Sequence, residues 1–136
     1  MKKIVLVLSI SLVSFLNSHA QTTPSFPEKI SLSEAVNIAG VGSGEIEKQV
    51  ILNSKGLSLN DKSSLTNHIT SFRMTLVIKG AELKEFFNEV DGELTPQMVD
   101  AVKNAPVGSK VFFEYIKSTG PNNTTRSIQA ASFILK

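Results

Sequence analysis

The chain has 136 residues, no cysteine and no tryptophan, with 14 Lys and Arg against 12 Asp and Glu. The missing cysteine excludes thiolate nucleophiles, Cys-ligated zinc, iron–sulfur clusters and a disulfide scaffold. With Lys2 and Lys3 set aside as part of an export signal, Lys and Arg number 12, matching the 12 Asp and Glu, so charge gives no reason to expect nucleic acid or anionic lipid as a partner.

Met1-Lys2-Lys3 supplies a positive start, Ile4 to Phe15 an apolar run, and Ser18-His19-Ala20 a small-x-small cleavage site. Residues 1–20 therefore read as a signal peptide with cleavage after Ala20 and a periplasmic or secreted product. The run is too short for a membrane span and is interrupted by Ser9, Ser11 and Ser14. Residues 21–28, with Pro24 and Pro27 among Thr and Ser, read as a flexible arm, and 29–136 as a single domain of a size that builds its own core.

Within that domain a strand is expected over Lys29 to Ala39, ending at the glycine-rich turn Gly40-Val41-Gly42-Ser43-Gly44. That turn lacks the terminal GK[ST] of a P-loop, and Glu45 and Glu47 after it repel phosphate. Ser43 is placed to cap a short helix over Glu45 to Leu52, with Ile46 and Val50 on one face. Thr70 to Lys79 alternates as a half-buried strand, Phe72, Met74, Leu76 and Ile78 on the inner side. In Ala81 to Val90, Leu83, Phe86, Phe87 and Val90 fall at helical spacing, yet Lys79-Gly80 and Asp91-Gly92 flank the segment as hairpin turns do. Thr95-Pro96 caps and starts a helix whose buried stripe is Met98, Val99 and Val102, and Ala105-Pro106-Val107-Gly108 stops it. Lys110 to Lys117, apolar on both faces, predicts a central strand covered on both sides, and Ser127 to Leu135 predicts the closing strand. Phe72, Phe86, Phe87, Phe112, Phe113 and Phe133 are assigned to the core.

Catalytic equipment is sparse. After signal removal His68 is the one histidine, with no nucleophile elbow for a triad and no HExxH or DxDxDG pattern for a metal. Glu82, Glu85, Glu89, Asp91 and Glu93 form an acidic run that suits glycoside hydrolysis only if two carboxylates are held about 5 to 10 Å apart, and it reads better as a solvated face. No enzyme activity, cofactor or metal is expected. With one Tyr and no Trp, the stacking platform for sugars or single-stranded nucleic acid is thin.

The stretch VGSKVFFEYIKSTGPNNTTRSI with the terminal ASFILK resembles the closing strand–turn–strand of the GldM C-terminal domain family, from the type IX secretion and gliding-motility apparatus. The resemblance falls on Gly108, Lys110, Phe112, Phe113, Glu114, Ile116, Lys117, Gly120, Pro121, Arg126 and Phe133. Weaker matches lie at Leu94-Thr95-Pro96-Gln97-Met98, Thr70-Ser71-Phe72 and Ser43-Gly44-Glu45-Ile46. Where the family often has Asp-Gly after Gly-Pro, this chain has Asn122-Asn123, which tolerate left-handed backbone, so the hairpin is expected to survive. The resemblance implies a strand rather than a helix over residues 81–90. GldM itself carries a membrane helix and further domains before this one, which are not expected here, so the resemblance implies partner binding at most and not motor coupling.

The expectation is thus an α+β domain, mainly antiparallel and sandwich-like, with two short helices. Its expected function is protein interaction, with type IX ring components as the implied partners. The surfaces proposed for contact are the exposed sheet edge and the loop from Lys117 to Arg126, in particular Lys117, Gly120, Pro121, Asn122, Asn123 and Arg126. The alternatives are a β-sandwich binding a small ligand or glycan, and a hydrolase using the acidic run.

Overall fold

The computed structural model describes residues 35–60 and 67–136. The expected signal peptide, arm and residues 29–34 of the first strand lie outside them. The described elements run β1 (Val36–Asn37), β2 (Gly44–Ile46), α1 (Lys48–Asn53), β3 (Ser58–Leu59), β4 (His68–Val77), β5 (Leu83–Asn88), α2 (Pro96–Asn104), β6 (Lys110–Thr119), β7 (Thr125–Ile128) and β8 (Ala131–Leu135). The fold is α+β, as the sequence predicts.

One six-stranded sheet has the order β2-β8-β6-β4-β5, with β7 also pairing β6, and β1 pairs β3 in a small second ladder. All pairings of named strands are antiparallel except β2 with β8. The core lies between one face of the large sheet and a layer made of α1, α2 and the β1–β3 ladder. Phe72, Met74, Leu76, Val111, Phe113, Ile116, Phe133 and Leu135 enter it from the sheet; Val36, Ile38, Ile51, Leu57, Met98 and Val102 meet them from the opposite layer. At its centre the Phe113 ring contacts Phe72 at 5.8 Å and Phe133 at 5.9 Å between centroids, in the tilted and edge-on geometries aromatic pairs prefer.

Helix α2 forms where the sequence places it. Thr95 Oγ1 accepts from the Met98 N–H at 3.3 Å, Pro96 occupies the first turn, and Met98 and Val102 are the buried stripe. Thr95→Ala is expected to cost about 1 kcal/mol, read as a lower urea midpoint with unchanged slope. Lys48 ties α1 to the far end of this helix, its Nζ donating to the Lys103 and Ala105 carbonyls at 3.0 and 2.7 Å.

Four expectations are corrected. Helix α1 begins at Lys48, because Gly44–Ile46 are drawn into parallel pairing with Phe133–Leu135, and the helix's first N–H reaches the Lys136 carbonyl at 3.4 Å. Ser43 caps nothing there; its Oγ accepts from the Ser132 N–H at 3.3 Å, and the buried residue of α1 is Ile51. Second, of the strand expected over residues 29–39, the described part contains only Val36–Asn37, since Ala39 and Gly40 turn the chain with positive φ and Val41 returns to bridge Ile38. Third, the closing strand is two strands, β7 and β8, separated at Gln129 and Ala130. Fourth, β6 is central but is covered by described elements on one face only.

Within residues 81–90 the chain forms β5 (Leu83–Asn88), paired with β4 from Phe72↔Asn88 to Val77↔Leu83. The helical spacing of Leu83, Phe87 and Val90 is not used, for all three are exposed. The short turn at Lys79-Gly80, with Gly80 at φ +74°, sends the chain straight back beside β4, and pairing outweighs local periodicity.

Candidate functional site

The outer face of the large sheet carries the most concentrated unusual chemistry. Its residues follow from strand alternation. Arg73 on β4 stands opposite Phe87 on β5 and Glu114 on β6, while Thr75 stands opposite Glu85 and Phe112. Arg73 Nη2 donates to Glu114 Oε2 at 2.9 Å, its Nη1 lies 3.4 Å from Glu85 Oε1, and Thr75 Oγ1 donates to Glu114 Oε2 at 3.2 Å. The hydrogen bond to Glu114, then the nearby charges of Glu114 and Glu85, hold the guanidinium above its ordinary value against the desolvation that opposes it, so Arg73 stays cationic at every physiological pH.

Over Arg73 lies Tyr115, with the guanidinium carbon 4.3 Å from the ring centroid. Simple alternation puts Tyr115 on the Phe113 face, inside the core. Instead Tyr115 has φ +51° and is 70% exposed, because β6 bulges there. Between the inward Phe113 and Ile116 it holds two residues, Glu114 and Tyr115, and β4 likewise holds Thr70 and Ser71 between the buried Ile69 and Phe72. The two irregularities cancel: the register shifts at Ser71↔Lys117 and is restored at Arg73↔Glu114. The sheet keeps its apolar side inward at both ends while turning Tyr115 out. Left-handed backbone costs a tyrosine about 1–2 kcal/mol, a strain of the kind that collects at functional positions.

Phe87, assigned to the core by its residue type, is 63% exposed beside Arg73, and Leu83, farther along β5, is 57% exposed. Phe86 and Phe112 are only partly buried, whereas Phe72, Phe113 and Phe133 are in the core as expected. No described element covers this face.

Of the loop residues singled out in the sequence, Gly120, Pro121, Asn122 and Asn123 form the tip of the β6–β7 hairpin. Gly120 N–H donates to the Thr124 carbonyl at 3.0 Å, and Asn122 and Asn123 take the left-handed backbone expected of them, at φ 66° and 57°. Lys117 and Arg126 are not brought together. Lys117 pairs with Ser127 and Arg126 with the buried Ser118, and since directly opposed residues share a face, the two cations leave the hairpin on opposite sides.

The acidic run is dispersed. Glu82 pairs with Lys84 at 3.5 Å, Glu85 with Arg73, and the Asp91 carboxylate accepts from Asn88 Nδ2 and the Glu93 N–H within its turn, both at 2.9 Å. Asp91 and Glu93 line a groove of about 490 Å³ with Lys55 and His68, and no group of three or more metal-ligating side chains occurs among the described residues. Among the described residues, no helix is long and apolar enough to cross a membrane.

Compared with models of known families and with proteins of curated function, the chain matches none.

Proposed function

We propose that this chain is an exported, non-enzymatic protein-interaction module that docks through the outer face of its large sheet, with a type IX secretion or gliding-type envelope complex as its setting. The observation that carries the reading is the strained, exposed Tyr115 beside exposed Phe87 around Arg73. Aromatic residues and arginine dominate the energetics of protein interfaces, and this fold spends backbone strain to present an aromatic ring to solvent. Supporting the setting is the resemblance to the GldM C-terminal domain: its aromatic pair and glutamate fall at Phe112, Phe113 and Glu114, placing Phe112 and Glu114 on this face, and its Gly-Pro falls at the neighbouring hairpin tip. The signal-like residues 1–20 support periplasmic or secreted placement.

The test is affinity isolation of the tagged mature chain from envelopes of its own cells, with mass spectrometry of what is retained. Ring components are expected, and the Phe87→Ser/Tyr115→Ser double variant is expected to lower their recovery at least about tenfold while its melting temperature stays within about 4 °C of the parent. Recovery of the chain alone, from cells that contain the ring, contradicts the proposal.

A further inference from the structure

Strand β5 ends the large sheet, and among the described residues nothing pairs its outer edge. The Ile78 N–H donates to the Glu82 carbonyl at 3.3 Å, and in the antiparallel register that follows, Ile78/Glu82, Leu76/Lys84, Met74/Phe86 and Phe72/Asn88 are the hydrogen-bonded pairs. The N–H and C=O groups of Leu83, Glu85 and Phe87 consequently point away from β4, toward the free edge. At the opposite end of the sheet, β2 offers only three residues and is flanked by the Lys136–Glu45 ion pair. The six-residue β5 is the better template for an added strand.

Its side chains define what it accepts. On the outer face β5 presents Leu83, Glu85 and Phe87, that is apolar, acidic, apolar; on the inner face it presents Lys84, Phe86 and Asn88. A second copy fits poorly. Antiparallel pairing that sets Leu83 on Phe87 also sets Glu85 on Glu85, and the register two residues away sets Lys84 on Lys84. One further register avoids like charges only by placing Glu85 against Phe87, and the other, Leu83 on Leu83, pairs only residues 81–85 and leaves Phe86 and Phe87 outside the added ladder.

We propose that the free edge of β5 takes an extended segment of a partner protein as an added antiparallel strand, with apolar side chains opposite Leu83, Phe86 and Phe87, an Arg or Lys opposite Glu85 and an acid opposite Lys84. The inference rests on the reading of this chain as a protein-binding module and supplies the partner's local chemistry: apolar, apolar, basic, acidic, apolar in the partner's chain direction. Lys84 and Glu85 act here as selectors. They reject uniform apolar strands and the chain's own copy, and they admit the complementary order.

The probe is a labelled, end-blocked heptapeptide, Thr-Val-Phe-Arg-Glu-Val-Thr, titrated against the mature chain by fluorescence anisotropy. Saturable binding is expected, about tenfold weaker when the peptide's Arg and Glu are exchanged, with that preference reversed in the Lys84→Glu/Glu85→Lys variant. Glu85→Pro removes an outward N–H that β4 does not use, so it should abolish binding with the fold retained by circular dichroism. Absence of binding, equal binding of both peptides, or undiminished binding to folded Glu85→Pro overturns strand addition. Those results leave recovery of envelope partners unaffected, so failure here and failure of the broader reading are distinguishable.

Discussion

Phe113→Ala is expected to remove about a third to a half of the stability of the fold. Phe113 is fully buried on the central strand and packs its ring against both Phe72 and Phe133, joining β4, β6 and β8 at one point. Truncating a phenylalanine in such a site costs about 3–5 kcal/mol, from lost transfer energy and the cavity left behind. Against a total of about 10 kcal/mol, the middle of the usual 5–15 kcal/mol range, that lowers the urea midpoint by about a third to a half. Phe113→Leu should lose less than about half as much, because it refills much of the volume. A Phe113→Ala protein that melts with the parent would place the core elsewhere.

Gly56→Ala is expected to be the most damaging glycine substitution among the described residues. Gly56 bridges Glu93, and the flanking bonds Leu57 N–H to the Gly92 carbonyl (2.8 Å) and Leu94 N–H to the Lys55 carbonyl (3.0 Å) clamp the two segments together. A Cβ at Gly56 runs into the Gly92 carbonyl and lies 2.7 Å from Glu93 Cα, backbone atoms that no rotamer change can move, and φ there is +154°. Strain and displaced backbone together cost about 2–4 kcal/mol. Gly80→Ala is the control. It also has positive φ, at +74°, but open space around it, so about 1 kcal/mol is expected. Equal losses in the two variants would mean that the close approach at Gly56 contributes nothing.

The parts of the fold legible in the sequence are those governed by local chemistry. Thr95 and Pro96 begin α2 because capping and a missing N–H act within one turn, and the β4 alternation reports a sheet with one apolar face. What escaped depends on pairing between distant segments. Glu45 and Ile46 follow a helix-like signal until Ile134 and Leu135 recruit them into a strand, and Phe87 looks like core until β5 turns out to be an edge. The candidate site was half visible. Phe112 and Glu114 lie in the stretch that carries the family resemblance, but the outward turn of Tyr115 is not legible there, because a bulge breaks the two-residue period by which strand faces are read. Lys117 and Arg126 are neighbours in the same loop region of the sequence, and only the register shows that they lie on opposite faces of one hairpin.

The proposed docking surface is the outer face and free edge of the large sheet. Amide hydrogen exchange, followed by mass spectrometry on the tagged chain with and without the proteins it retains from envelopes, tests this most directly. Protection is expected in peptides covering β5 (Leu83–Asn88) and the 112–117 stretch of β6, with α1 and α2 unchanged. Protection confined to the helices or to the groove around His68, with β5 exchanging as in the free chain, would contradict docking at this surface.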